Sequence, residues 1–129
     1  PCMSTTFQHI RDWQRARAGE SAAAVPPPHA PDLLLIGCVD ARLNIKNDLG
    51  IPDGKALIYR NVAALVAGTS GAADAEHVSE AAVLEFAVAV MGVQDIVVMG
   101  HTDCGGIAAC LRGQRRGIEH LGQYLAPLE

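Results

Sequence analysis

Two short motifs each gather reactive side chains of different kinds within a few residues. The first is Cys38-Val39-Asp40-Ala41-Arg42 and the second is Gly100-His101-Thr102-Asp103-Cys104-Gly105-Gly106. If the chain runs extended through the first, Cys38, Asp40 and Arg42 fall on one face, because side chains alternate along a strand. A thiol, a carboxylate and a guanidinium then converge. In the second motif His101 and Cys104 stand three apart, a spacing suited to a chelating turn that runs into a helix. Gly105-Gly106 permits a close backbone approach there, and a helix N-terminus favours a thiolate at Cys104. Two cysteines and one histidine match the N and S ligands that zinc takes, and a catalytic zinc keeps its fourth position open for water. A carboxylate paired with an arginine stays ionised. Cys38, His101 and Cys104 are therefore candidate metal ligands, and Asp40 and Arg42 candidate catalytic groups.

Each of these residues has a plainer reading when taken alone. A single cysteine at a strand end is ordinarily a core residue, and an Asp–Arg pair is ordinarily a structural ion pair. The combination of both motifs outweighs those readings. Cys110 keeps its core reading and Cys2 is read as a bystander. Asp103 reads as a turn residue, and the cluster Arg112, Arg115, Arg116 as a solvated face.

The elements that position the motifs are legible in the hydrophobic pattern. Leu33-Leu34-Leu35-Ile36-Gly37-Cys38 is a continuous apolar run, the mark of a strand buried on both faces in a parallel sheet. Residues 55–60, after the turn signal Pro52-Asp53-Gly54, form a second strand candidate. Residues 96–99 form the third. Residues 76–91 read as a helix with a wide apolar stripe that Gly92 ends. Strand, helix, strand is a βαβ unit, and in open α/β sheets the site lies at the carboxyl ends of the strands, where both motifs sit. Residues 64–75 read as a small-residue loop, and residues 105–128 as helix broken at Gly113 and Gly117.

The N-terminal part is organised differently. Residues 4–18 predict an amphipathic helix with Ser4 as N-cap and Phe7, Ile10 and Trp13 on one stripe. Residues 20–31 are Ala-rich and then proline-rich (Pro26, Pro27, Pro28, Pro31), hence extended and irregular. A helix set apart by such a linker buries its stripe only by docking on the body or on another subunit. The division expected is an arm with its linker at 1–31 and an α/β zinc-binding catalytic body at 32–129. The whole is a three-layer, mostly parallel sheet flanked by helices.

Composition narrows the function classes. The chain has 129 residues, of which 50% are hydrophobic and 19% charged, enough for one core. A net charge of −4 and an aromatic content of 4% leave neither the basic surface nor the stacking platform that nucleic-acid binding uses. No apolar run approaches the roughly 18 residues of a membrane span, and the N-terminus shows no secretory pattern. A cytoplasmic location is expected, with the four cysteines unpaired.

Cys38-x-Asp40-x-Arg42, followed by Arg60-Asn61 and then His101-x-x-Cys104-Gly105-Gly106, resembles the β-class carbonic anhydrases over roughly residues 33–111. The resemblance implies zinc on Cys38, His101 and Cys104 and an Asp40–Arg42 dyad beside it. It also implies a homodimer or higher oligomer whose N-terminal helix packs across the partner. The activity implied is reversible hydration of carbon dioxide to bicarbonate by hydroxide generated at the metal. The same scaffold acting on carbon disulfide, and a non-catalytic zinc-binding relative, stand as alternatives. His9, His29 and His77 are candidate proton shuttles by side-chain type. The sequence departs from the family at Ala41, commonly Ser, and at Val62-Ala63, commonly Ala-Gly. Family members also continue into a further strand, for which the sequence after Leu111 offers no candidate; the expectation is either a body that is C-terminally incomplete or a reduced C-terminal region.

Overall fold

The computed structural model describes residues 4–18, 27–66, 78–113 and 117–128. It has a three-stranded parallel sheet flanked by helices. In chain order the helix α1 (Thr5–Ala16) precedes β1 (Leu33–Cys38), the short α2 (Ile45–Asp48) and β2 (Ala56–Asn61). A 3₁₀ turn (Val62–Ala64), α3 (Val78–Glu85), β3 (Asp95–Met99), α4 (Gly105–Leu111) and α5 (Glu119–Leu125) follow.

The strand order is β2-β1-β3, which puts the most apolar strand in the centre. Leu34, Leu35 and Ile36 are the largest fully buried side chains, as a run apolar on both faces requires. Leu34 and Ile36 pack with Ala87, and Leu57, Tyr59, Val83 and Leu84 close around them. The opposite face of β1 is covered at its far end by Ile45, which is buried. Gly37 permits that contact, since a Cβ there would collide with Ile45 Cδ1. β3 is equally apolar in sequence but lies at the edge, and Ile96, Val97 and Val98 are 41–55% exposed.

Two expectations need correction. Residues 76–91 are not one regular helix, although α3 starts where the described residues resume. From Phe86 to Val90 the helix widens to π geometry, with Met91 N–H donating to the Phe86 carbonyl at 2.9 Å. The apolar stripe is indifferent to that change of hydrogen-bond register, so periodicity does not report it. The chain also does not stay extended through Arg42. It turns after Asp40, and Leu43 N–H closes the turn on the Asp40 carbonyl at 3.1 Å.

α1 forms as its sequence predicts. The Ser4 hydroxyl accepts from Phe7 N–H at 3.2 Å, the usual N-cap bond. None of its residues is buried, and Phe7, Ile10 and Trp13 are each about half exposed. The part of the linker at 19–26 and the loop at 67–77, with His77, lie outside the described residues, as do Cys2, Arg115 and Arg116.

Candidate metal centre

The sheet delivers both motifs to one place because β1 and β3 are parallel neighbours, with Gly37 in register with Met99. Each strand therefore ends on the same side, and the residues that follow meet. Cys38 is the last residue of β1 and is buried. After β3 the chain passes through Gly100 and His101 into a turn in which Asp103 takes a left-handed φ of 54°. Cys104 then caps α4 and is likewise buried. Cys38, Cys104 and Cys110 are all free thiols.

The ligand atoms of Cys38, His101 and Cys104 all lie within 4.8 Å of one another. Cys38 Sγ and Cys104 Sγ are 3.8 Å apart. Two sulfurs each at the ordinary zinc–sulfur distance from a tetrahedral centre lie about 3.8 Å apart as well. His101 Nδ1 is fixed on the Thr102 carbonyl at 2.9 Å. Its Nε2 is buried and has no hydrogen-bond partner among the described residues. A buried ring nitrogen left unpaired costs free energy, and a cation between it and the two sulfurs answers that cost. The donor set therefore fits a zinc ion.

The electrostatics agree with that fit. Burial pushes the Cys38 thiol up, but the His101 imidazole, the backbone N–H groups of Asp40 and Ala63, and Cys104 together bring it down to about 7. The sulfur is thus shifted toward the thiolate form that a metal takes. The same Cys38 sulfur raises the His101 imidazole.

Asp40 and Arg42 stand beside this group. Cys38 and Asp40 alternate along a short extended stretch, and Val39 N–H continues the β1–β2 pairing by donating to the Asn61 carbonyl at 2.9 Å. Arg42 arrives by the turn and not by strand alternation. Its backbone N–H and Nε donate to Asp40 Oδ1 at 3.0 and 2.9 Å, and NH2 donates to Oδ2 at 2.9 Å. The Arg42 guanidinium holds the Asp40 carboxyl far below the usual carboxylate range. Asp40 Oδ2 sits 4.0 Å from His101 Nε2. Arg42 NH2 also donates to the Thr102 and Asp103 carbonyls at 3.5 and 3.2 Å, so one side chain ties the two motifs together.

The supporting residues escaped sequence reasoning. Ala63 and Ala64 take left-handed φ values of 66° and 52°, in the turn whose Ala63 N–H bonds the Cys38 sulfur. α4 packs tightly on this turn. A Cβ at Gly106 would lie 2.8 Å from Val62 Cγ1 and 3.2 Å from Ala63 N. Tyr124 Oη donates to the Val62 carbonyl at 3.1 Å and braces the turn from α5. Burial and nearby acidic groups push its phenol up to about 12, so it stays a donor. A lone tyrosine in a C-terminal helix gives no sequence signal of this. Of the candidate shuttles, His9 and His29 are exposed, on α1 and on the segment before β1.

No helix among the described residues is long and apolar enough to cross a membrane. The sequence model of the carbonic anhydrase family matches residues 33–129. The chain is 36% identical over 105 residues to a carbonic anhydrase of Saccharomyces cerevisiae, spanning 78% of this chain and 44% of that one. It is 36% identical over 110 residues to the mitochondrial β carbonic anhydrase 6 of Arabidopsis thaliana, spanning 85% of this chain and 35% of that one. It thus spans less than half the length of these relatives. A tetrameric β-carbonic anhydrase from Sordaria macrospora superposes with a TM-score of 0.76 at 34% identity, over 97% of this chain and 63% of that one.

Proposed function

The chain belongs to the β-class carbonic anhydrases, and from that premise we propose that it hydrates carbon dioxide reversibly to bicarbonate at a zinc ion held by Cys38, His101 and Cys104. The observation that carries this reading is the unpaired, buried Nε2 of His101 facing two cysteine sulfurs, with an ionised Asp40 4.0 Å away. Zinc, when bound, supplies Lewis acidity that brings the pKa of a water ligand down to about 7.

The protein's own groups do the rest. Asp40 is held so far below neutrality by Arg42 that it never carries a proton at pH 7. It therefore works as an acceptor. It takes a hydrogen bond from the attacking water and turns a lone pair toward the carbon of the substrate. Arg42 fixes the direction of that carboxylate through a bidentate fork, a geometry that lysine does not reproduce. The proton released on hydration leaves by way of solvent or buffer, since Asp40 is too weak a base to retain it.

The arrangement is proposed to work in a homo-oligomer. α1 leaves Phe7, Ile10 and Trp13 each about half exposed, with none of its residues buried among the described residues. An apolar groove of about 320 Å³ opens between Leu34, Leu57, Tyr59, Val83 and Phe86. A second copy's α1 has the chemistry to fill such a groove. The compartment proposed is a reducing one such as the cytoplasm, because the site uses two cysteines as free thiols. Zinc content measured together with carbon dioxide hydration tests the reading.

A further inference from the structure

Arg60 takes no part in ligation and does not touch the Asp40 carboxylate, yet it makes two short contacts to the segment that carries both. It sits near the end of β2, in register with Gly37. Its Nε donates to the Cys38 carbonyl at 2.9 Å and its NH2 to the Asp40 carbonyl at 2.7 Å. These are carbonyls two residues apart, which in an extended chain point to the same side. Between them Val39 N–H reaches the Asn61 carbonyl. The guanidinium thus continues the β1–β2 ladder beyond the point where main-chain pairing stops.

The consequence for the site is geometric. Cys38 and Asp40 face the same way only while residues 38–40 remain extended. The Asp40 carbonyl also accepts Leu43 N–H, the bond that closes the turn bringing in Arg42. Arg60 therefore fixes the point at which extension ends and the turn begins. We propose that Arg60 is a positioning residue: by clamping the Cys38 and Asp40 carbonyls it sets the metal-ligand sulfur and the dyad carboxylate in one orientation. The inference rests on the metal-centre reading above. Two rigid, coplanar N–H groups are needed to hold two carbonyls at once; a lysine ammonium retains the charge and loses the fork.

The test compares the whole chain with Arg60→Lys and Arg60→Gln. Zinc affinity is read by chelator competition, ligand geometry by the visible absorption of the cobalt-substituted protein, and folding by thermal unfolding of the metal-free protein. The expected result is a loss of about 10- to 100-fold in zinc affinity in both variants, the usual effect of removing a group that orients a ligand. A changed cobalt spectrum and a metal-free unfolding temperature near that of the unsubstituted chain are expected with it. Should Arg60→Gln not fold, Arg60→Lys decides alone. Arg60→Lys with full zinc affinity and an unchanged cobalt spectrum overturns the proposal, because charge then suffices. A fall in metal-free stability that accounts for the whole loss of affinity overturns it too, because the role is then merely structural. If the unsubstituted chain itself binds no zinc, the metal-centre reading fails first and is seen to fail separately.

Discussion

Arg42 grips Asp40 through three hydrogen bonds, two from the guanidinium at 2.9 Å and one from its own backbone N–H at 3.0 Å. The same guanidinium reaches across to the carbonyls of Thr102 and Asp103, on the loop that carries His101. The carboxylate is consequently held both ionised and aimed. Asp40→Ala removes the acceptor and leaves the three ligand side chains in place. We expect it to keep its zinc and to lose turnover by about 10²-fold or more, the usual scale for a positioned proton-handling group. Stopped-flow hydration of the zinc-loaded variant is the check, and near-normal turnover contradicts the role assigned.

Metal affinity should depend on pH with a definite sign. The Cys38 thiol is brought down to about 7 and the His101 imidazole is raised, so acidification through 7 adds protons to groups that a metal needs bare. Those protons must leave before a metal binds. Affinity therefore falls as pH drops through 7, by roughly tenfold per unit for each proton displaced. Chelator competition across this range measures the slope; a flat profile contradicts the ligand assignment.

The turn behind Cys38 should be sensitive to single methyl groups in opposite directions. Ala63 sits at a φ of 66°, a conformation that costs an L-residue about 1 kcal/mol and glycine almost nothing. Ala63→Gly is expected to stabilise the protein by up to about 1 kcal/mol, less what the freer unfolded chain takes back. Gly106→Ala drives a Cβ into Val62 and the Ala63 amide and is expected to destabilise by about 1–3 kcal/mol. Urea unfolding of the two variants gives the comparison, and equal midpoints contradict the packing described.

Much of this arrangement is legible in the sequence, and the rest is not for identifiable physical reasons. The run from Leu33 to Cys38 announced a central strand because only a doubly buried strand tolerates such continuous apolarity. Ser4 announced its helix because capping is a local bond. The two motifs could be paired because each follows a strand, and parallel neighbours end on one side. What stayed hidden depends on local geometry or distant contacts. The turn that carries Arg42 to Asp40 replaces strand alternation with a side-chain-to-backbone bond. The left-handed Ala63 and Ala64 go against the preference of alanine. The Tyr124–Val62 contact joins residues 62 positions apart. The exposure of β3 follows from its place at the edge, which its apolar sequence conceals.

Trp13 gives the assembly a test of its own. It lies about half exposed on α1, with Arg17 stacked 4.8 Å from its ring centroid. Trp13→Ser should leave the circular dichroism of the sheet unchanged. It should weaken self-association by about 2 kcal/mol, roughly 30-fold in Kd, as loss of a buried aromatic anchor does. Sedimentation velocity over a concentration series reads this directly, and an unaltered distribution removes α1 from the interface.

The central claim is that Cys38, His101 and Cys104 hold a zinc ion that serves carbon dioxide hydration. It is tested most directly by stopped-flow hydration on chain of known zinc content, beside Cys38→Ser. The account predicts about one zinc per chain with rapid hydration, and loss of both together in the variant. Zinc-loaded chain that leaves carbon dioxide untouched, or that turns over carbon disulfide instead, would contradict it.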